Sequence, residues 1–190
     1  MLIDLSLSYN DIQPMAEKLK KSSSELFMQG HFGTHVDVPL HSKIPLDYMK
    51  CRALLFDVSH IKDRDVEIND IEISKIERSD FVIFKTGMMK QYGYGHQMYL
   101  HNQTTLSFNL IDALVERGIR FLGIDAIGVR NGKEHLQVDK FCEQNGVYII
   151  ENMVSLDELS SNTDESFETI TMWHEIPGNT GIPCRIIASI

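Results

Sequence analysis

The 190-residue chain is 43% hydrophobic and 24% charged, a balance that suits a folded globular protein and excludes a disordered one. Eighteen basic against twenty-seven acidic side chains leave a net charge of −9, a surface that repels nucleic-acid phosphates and anionic lipids. Three widely spaced cysteines, Cys51, Cys142 and Cys184, contain no CxxC pair and are odd in number, which speaks against a disulfide framework or a cysteine zinc site.

Leu2 to Ser8 alternates apolar and polar residues and reads as a strand, and Pro14 to Lys21 as a short helix with proline in its first turn. Arg52–Val58 and Asp80–Lys85 are compact apolar runs typical of buried strands, with capping-box spacing at Ser74 and Glu77 for a short helix between them. Gly87 to Gly95 reads as a loop rich in Gly, Met and Tyr. Ser107 is placed to cap a helix through Arg117, closed by Gly118, ahead of a strand at Phe121–Asp125. Asp139 is placed to cap a helix to Gln144, closed by Asn145-Gly146 and followed by a strand over Val147–Asn152. Ser155 and Glu158 repeat the capping-box spacing, Ser160–Ser166 reads as a surface turn, and a loop from Pro177 to Pro183 leads into a last strand at Cys184–Ala188.

Helices alternate with apolar strands, so the class is α/β with a mixed sheet, organised as one domain over residues 1–190. No signal-peptide pattern opens the chain and no apolar run approaches about 18 residues, so the expectation is a cytoplasmic protein with no membrane or nucleic-acid partner.

The chemistry is concentrated in His31-Phe-Gly-Thr-His35-Val-Asp37-Val-Pro-Leu-His41, which holds three of the eight histidines. If Thr34 to His41 is extended, side-chain alternation puts positions 35, 37, 39 and 41 on one face, aiming His35, Asp37 and His41 at one point. Gly33 permits a bend that returns His31 to the same cluster. Imidazoles with a carboxylate suit Zn²⁺, Mn²⁺ or Fe²⁺, and a bridging Asp37 could hold two ions.

The whole string, with Asp4-Leu-Ser6, Thr86-Gly87, Gly123-Ile-Asp125, Glu151-Asn152 and Gly181-Ile-Pro-Cys-Arg185, resembles the cyclase-like metal-dependent hydrolases, the family of bacterial kynurenine formamidase and isatin hydrolase. The resemblance implies a swivelling β/β/α-type fold, a small-molecule substrate, and assembly as a homodimer or higher homo-oligomer. It implies His31, His35 and Asp37 as metal ligands, Asp37 bridging, Glu151 as a late carboxylate ligand, and His41 as proton donor/acceptor. The reaction implied is hydrolysis of an amide, formamide, lactam or ester by metal-activated water, with Zn or Mn as the ion.

Three departures bear on this. The family places a histidine ligand twelve residues before the late glutamate, where this chain has Asp139; an aspartate there would favour a harder ion such as Mn²⁺, or would simply cap its helix. His135, four residues earlier, is an alternative ligand, and a second ion depends on one of the two. Where the family has Ser-Val-Asp this chain has Gly128-Val-Arg130, and its one tryptophan, Trp173, lies far from the N-terminal segment Gln13–Glu17 where formamidase members carry theirs. The aromatic loop residues Met88, Met89, Tyr92, Tyr94, His96 and Tyr99 are candidates to line a pocket. A degenerate member that binds metal or ligand without turnover, and a single-metal Mn or Fe enzyme, are the competing readings.

Overall fold

The computed structural model describes residues 1–22, 29–101, 104–162 and 165–190. Eight strands, β1 (Leu2–Asp4), β2 (His35–Asp37), β3 (Lys50–Asp57), β4 (Phe81–Lys85), β5 (Phe121–Ile124), β6 (Tyr148–Glu151), β7 (Phe167–Trp173) and β8 (Gly181–Ser189), form one mixed sheet in the order β1-β8-β2-β6-β5-β4-β3-β7. A further β7–β8 pairing closes that sheet into a barrel, with β1 added beside β8. β3–β4, β4–β5 and β5–β6 are parallel and the remaining pairs antiparallel, so the α/β class with a mixed sheet holds.

Alternation along the central strands sorts the core into two layers. Phe81, Ile83, Phe121 and Ile150 join Val36, Ala53 and Ile186 in one cluster. Val82, Phe84, Leu122, Ile124 and Ile149 face the other way and pack with Leu110, Leu114, Val138 and Cys142 from the helices. The all-apolar reading of these strands follows from burial on both faces. All three cysteines are free thiols, and among the described residues no helix is long and apolar enough to cross a membrane.

Among the described residues six α-helices accompany the sheet: α1 (Tyr9–Ser22), α2 (Met88–Tyr92), α3 (Gln97–His101), α4 (Phe108–Glu116), α5 (Lys133–Gln144) and α6 (Leu156–Asn162). α4 begins as expected, with the Ser107 hydroxyl accepting from the Leu110 amide. Several boundaries differ from the sequence reading. α1 starts well before Pro14, because Ser8 and Asp11 cap it reciprocally: Asp11 N–H donates to Ser8 Oγ at 3.4 Å and Ser8 N–H to Asp11 Oδ2 at 3.1 Å. Pro14 therefore stands inside the helix. Gly87–Gly95 is not simply a loop but carries α2. The stretch near Ser74 is one 3-10 turn, Ile73–Lys75, with no side-chain cap. β7 is a strand that the sequence reading passed over, although Phe167–Trp173 alternates buried and exposed positions along most of its length. The surface turn expected at Ser160–Ser166 lies partly outside the described residues.

Asp139 does not cap a helix. α5 begins six residues earlier, after Gly132 at φ 57°, which puts Asp139 in mid-helix and buried.

Candidate metal centre

β2 lies between β8 and β6, with His35 directly opposite Glu151 and Asp37 opposite Gly181. Directly opposed residues share a face, and so do residues two apart on one strand. His35, Asp37 and Glu151 therefore converge, and Gly181 leaves the space beside Asp37 free of a side chain. Gly33, at φ 63°, turns the preceding chain so that His31 folds back onto the strand. His31 Nδ1 comes to 3.0 Å from Asp37 Oδ1 and 3.2 Å from His35 Nε2. His35 Nε2 lies 3.4 Å from Asp37 Oδ1 and 3.6 Å from Glu151 Oε2.

The second half of the cluster comes from α5. His135 and Asp139 are one helical turn apart, and their side chains enter the same space. His135 Nε2 is 3.2 Å from Asp139 Oδ2 and 3.2 Å from Glu151 Oε1. Two ligand-sized groups result, His31/His35/Asp37 and Asp37/His135/Asp139, each with its donor atoms within 4.8 Å of one another. Asp37 belongs to both, and Glu151 turns one oxygen to each.

Gly128 makes room for the His135 ring. A Cβ at that position would stand 2.6 Å from His135 Nδ1, closer than real contacts allow.

The tautomers are set from outside the cluster. The Gly33 carbonyl lies 2.9 Å from His35 Nδ1 and accepts its proton, so Nε2 is the nitrogen that faces the carboxylates. Asn152, at φ 58°, donates from Nδ2 to the same carbonyl at 3.0 Å and accepts the Tyr99 hydroxyl on Oδ1 at 2.6 Å. Thr180 gives its own proton to Gln29 and lies 2.8 Å from His31 Nε2, which leaves His31 Nδ1 as the inward-facing atom. Thr180 is a site residue that the sequence reading missed, since nothing local marks it.

His35, Asp37, Asp139 and Glu151 are each no more than 5% exposed. Yet Asp37 Oδ1 and Oδ2, Asp139 Oδ1 and Glu151 Oε1 make no hydrogen bond among the described residues. Burying unpaired carboxylate oxygens is costly unless a cation faces them. Burial alone would push His35 down, but the nearby charges of Asp37 and Glu151 more than offset it and lift it to about 9. His135 likewise rises to about 10 against the pull of burial, through Glu151 and then Asp139. Burial, then repulsion from Asp37, pushes Asp139 up to about 9 and raises Glu151 as well. Despite burial, the imidazoles of His35 and His31 hold Asp37 well below the usual carboxylate range. Three carboxylates and three imidazoles packed this closely fit divalent cations: their spacing matches the roughly 3.3 Å between donors on an ion about 2.0–2.1 Å from each.

The expectation that His41 shares this face fails. β2 ends at Asp37, and the chain turns at once, with His41 N–H bonded to the Val38 carbonyl at 2.8 Å and His41 at φ 57°. His41 is exposed and does not line the cavity over the cluster; its Nδ1 lies 3.1 Å from the carbonyl of Asn179, the residue before Thr180. That carbonyl can only accept, so Nδ1 is the donor in this contact. The turn is held from α5: Glu143 Oε2 accepts Leu40 N–H at 2.6 Å and Oε1 accepts Ser42 N–H at 2.8 Å.

Above the cluster opens a cavity of about 610 Å³, with Met15, Leu100, Ile127 and Leu136 on its apolar walls. Of the aromatic loop residues only Tyr94 lines it, and its hydroxyl accepts the Gly33 N–H at 2.7 Å. Met88, Met89 and Tyr99 are buried in the core, and Tyr92 stacks on His96. Trp173 packs edge-on against Phe121, away from the cavity. Arg130 ties loops together through Asp65, Glu134 and the Leu106 carbonyl and does not reach the cluster.

A closed mixed barrel with a histidine–carboxylate cluster at one end of β2 and β6 is the class of protein that fold and site define. The chain belongs to the cyclase family, described as "Putative cyclase", whose model matches residues 3–130. It is 25% identical over 194 residues to a kynurenine formamidase of Bacillus cereus, covering 97% of this chain and 88% of the relative. Among solved structures it superposes on a potential metal-dependent hydrolase with cyclase activity at a TM-score of 0.73 and 23% identity, over 99% and 96% of the two chains. An isatin hydrolase bound to the product analogue thioisatinate matches at 0.72 and 18% identity, over 84% of this chain and 72% of that one.

Proposed function

We propose that the chain is a metal-dependent hydrolase that cleaves an amide, formamide, lactam or ester bond of a small, partly apolar molecule, with two divalent cations held at Asp37. The observation that carries this reading is the set of buried carboxylate oxygens on Asp37, Asp139 and Glu151 that lack a hydrogen bond while facing three imidazoles at a cavity floor. The formamidase and isatin hydrolase likenesses support the reaction class.

His31 Nδ1, His35 Nε2 and Asp37 would hold one ion; Asp37, His135 and Asp139 would hold the other, with Glu151 serving both. The first set is nitrogen-rich and suits Zn²⁺, and the second is richer in oxygen and suits Mn²⁺. When bound, the ions supply Lewis acidity, polarising a carbonyl and acidifying water near neutral pH. The residues do the rest. Gly33 and Thr180 hold the two histidine rings in their ligand tautomers. Met15, Leu100, Ile127 and Leu136 take the apolar part of the substrate. His41, whose Nδ1 donates to the Asn179 carbonyl and leaves Nε2 on the outer edge of the ring, is the group we assign to carry a proton to the leaving atom.

The test is metal analysis of the purified chain together with turnover of N-formylanilines, isatin and simple lactones, before and after chelation. Hydrolysis that disappears on chelation and returns with Zn²⁺ or Mn²⁺ is expected. Hydrolysis unaffected by metal removal would end the proposal. Tightly held ions with no hydrolysis across the panel would favour a member that binds without turnover, which the exposed position of His41 motivates. We further propose a homo-oligomer, supported by the outward-facing apolar residues Ile170 and Met172 of β7 and measurable by light scattering.

A further inference from the structure

α5 presents three acidic or imidazole side chains at successive turns: His135, Asp139 and Glu143. The first two enter the metal centre. Glu143 is only 5% exposed and meets neither candidate ion group; both its oxygens are spent on the backbone amides on either side of His41. Such charge-assisted bonds are stronger than neutral ones, and one carboxylate here spans a single residue. That residue stands at φ 57°, in the left-handed region that non-glycine residues uncommonly occupy, His being among those found there most often. The Tyr148 hydroxyl, 3.1 Å from Ser42 Oγ, adds a second and weaker tie on the far side.

We propose that Glu143 is a positioning residue for proton transfer: it locks the His41 turn onto the helix that carries His135 and Asp139, so that the His41 ring keeps a fixed place relative to the metal centre. The inference rests on the reading of His41 as proton carrier. A carboxylate suits this position better than an amide. Two amide N–H groups need two acceptors, and a glutamine would offer one oxygen and turn its NH₂ against the other N–H.

The experiment compares Glu143→Ala, Glu143→Gln, His41→Ala and the double variant Glu143→Ala/His41→Ala in the metal-loaded full chain. Readouts are metal content, kcat and KM on the best substrate of the panel, and the His41 ring and Leu40 and Ser42 amide signals in NMR spectra. Glu143→Ala should keep its ions and lower kcat on the order of 10-fold or more, with KM changed about twofold or less. In the His41→Ala background the same change should cost less than about twofold further, because it acts through a ring that is no longer there. Multiplicative losses, or loss of an ion with the activity, would overturn the assignment.

The NMR arm decides even where no substrate is turned over, which separates failure of this inference from failure of the hydrolase reading. His41 ring signals should move in Glu143→Ala, and His41 signals unchanged from wild type would sink the idea. Where Glu143→Ala does not fold, Glu143→Gln carries the test: its kcat loss and His41 shift are expected to be intermediate, and wild-type values in both would refute it.

Discussion

His135 and Asp139 stand one turn apart on α5 with Nε2 of the one 3.2 Å from Oδ2 of the other, and together they form the far side of the metal cluster. Where the family resemblance implies one histidine ligand, this chain brings an aspartate and a histidine one turn before it into the same candidate group with Asp37. His135→Ala and Asp139→Ala should each reduce the bound metal from two ions toward one, leaving the His31/His35/Asp37 ion in place. Asp37→Ala should remove both. Atomic emission on chelex-treated, reloaded protein reads this directly, and full occupancy in His135→Ala would rule out the second site.

Gly128 offers a route to the same ion from outside the cluster. Because a Cβ there meets His135 Nδ1 at 2.6 Å, Gly128→Ser must displace the ring or the loop. The expected result is loss of the same ion as in His135→Ala, with the fold intact by circular dichroism. Unchanged stoichiometry would mean that the ring has freedom the structure does not suggest.

The pH dependence has a definite sign. His35 and His135 stand at about 9 and about 10 against 6.5 unperturbed, and Asp139 at about 9 against 3.8. In each case the folded, metal-free protein binds its proton more tightly than the unfolded chain does. That stability is fully present below the unfolded values and is lost as pH rises through the folded ones. Asp37 has the opposite sign and acts only in acid. The chelated protein should therefore melt at progressively lower temperature from about pH 4 upward, through Asp139, and more steeply above about pH 6.5, where the histidines add to it. Cations must displace the same protons, so the gap in Tm between loaded and chelated protein should widen over that range. A gap that narrows between pH 6.5 and 9 would contradict the assignment.

Asn152 connects the centre to the core, giving Nδ2 to the Gly33 carbonyl and Oδ1 to the buried Tyr99 hydroxyl. Asn152→Ala leaves that hydroxyl without its acceptor and should destabilise the protein by about 1–3 kcal/mol, measurable by urea unfolding. Asn152→Asp keeps an acceptor for Tyr99 but sets a buried oxygen against the Gly33 carbonyl in place of the Nδ2 donor, so it should also be less stable than wild type. Wild-type stability in Asn152→Ala would contradict the bridging role.

His41→Ala should retain metal while kcat falls on the order of 10²–10⁴. Asp37→Ala should lose metal and activity together. Retained activity in metal-free Asp37→Ala would remove the basis for the proposed function.

Much of the barrel was legible before the structure because its strands are buried on both faces and read as continuous apolar runs: Phe81–Lys85, Phe121–Ile124 and Tyr148–Glu151 lie within the predicted spans. α4 was legible because Ser107 and Gly118 mark its ends chemically. α1 and α5 were misplaced at their starts. The Ser8–Asp11 cap of α1 is a local signal that the proline obscured, whereas α5 starts after Gly132 with no side-chain cap to announce it.

For the site, spacing alone determined that His31, His35 and Asp37 belong together, since a three-residue strand preceded by one glycine bend fixes their relative positions over a few ångströms. Spacing could not carry the argument to His41, because whether the chain continues extended past Asp37 is settled by Glu143, about a hundred residues away. Nor could it decide between His135 and Asp139. That choice depends on the helical phase of α5 and on the pairing of β2 with β6, which bring both side chains against Glu151. Short-range geometry is written in the local chain; convergence of remote ligands exists only once the barrel has closed.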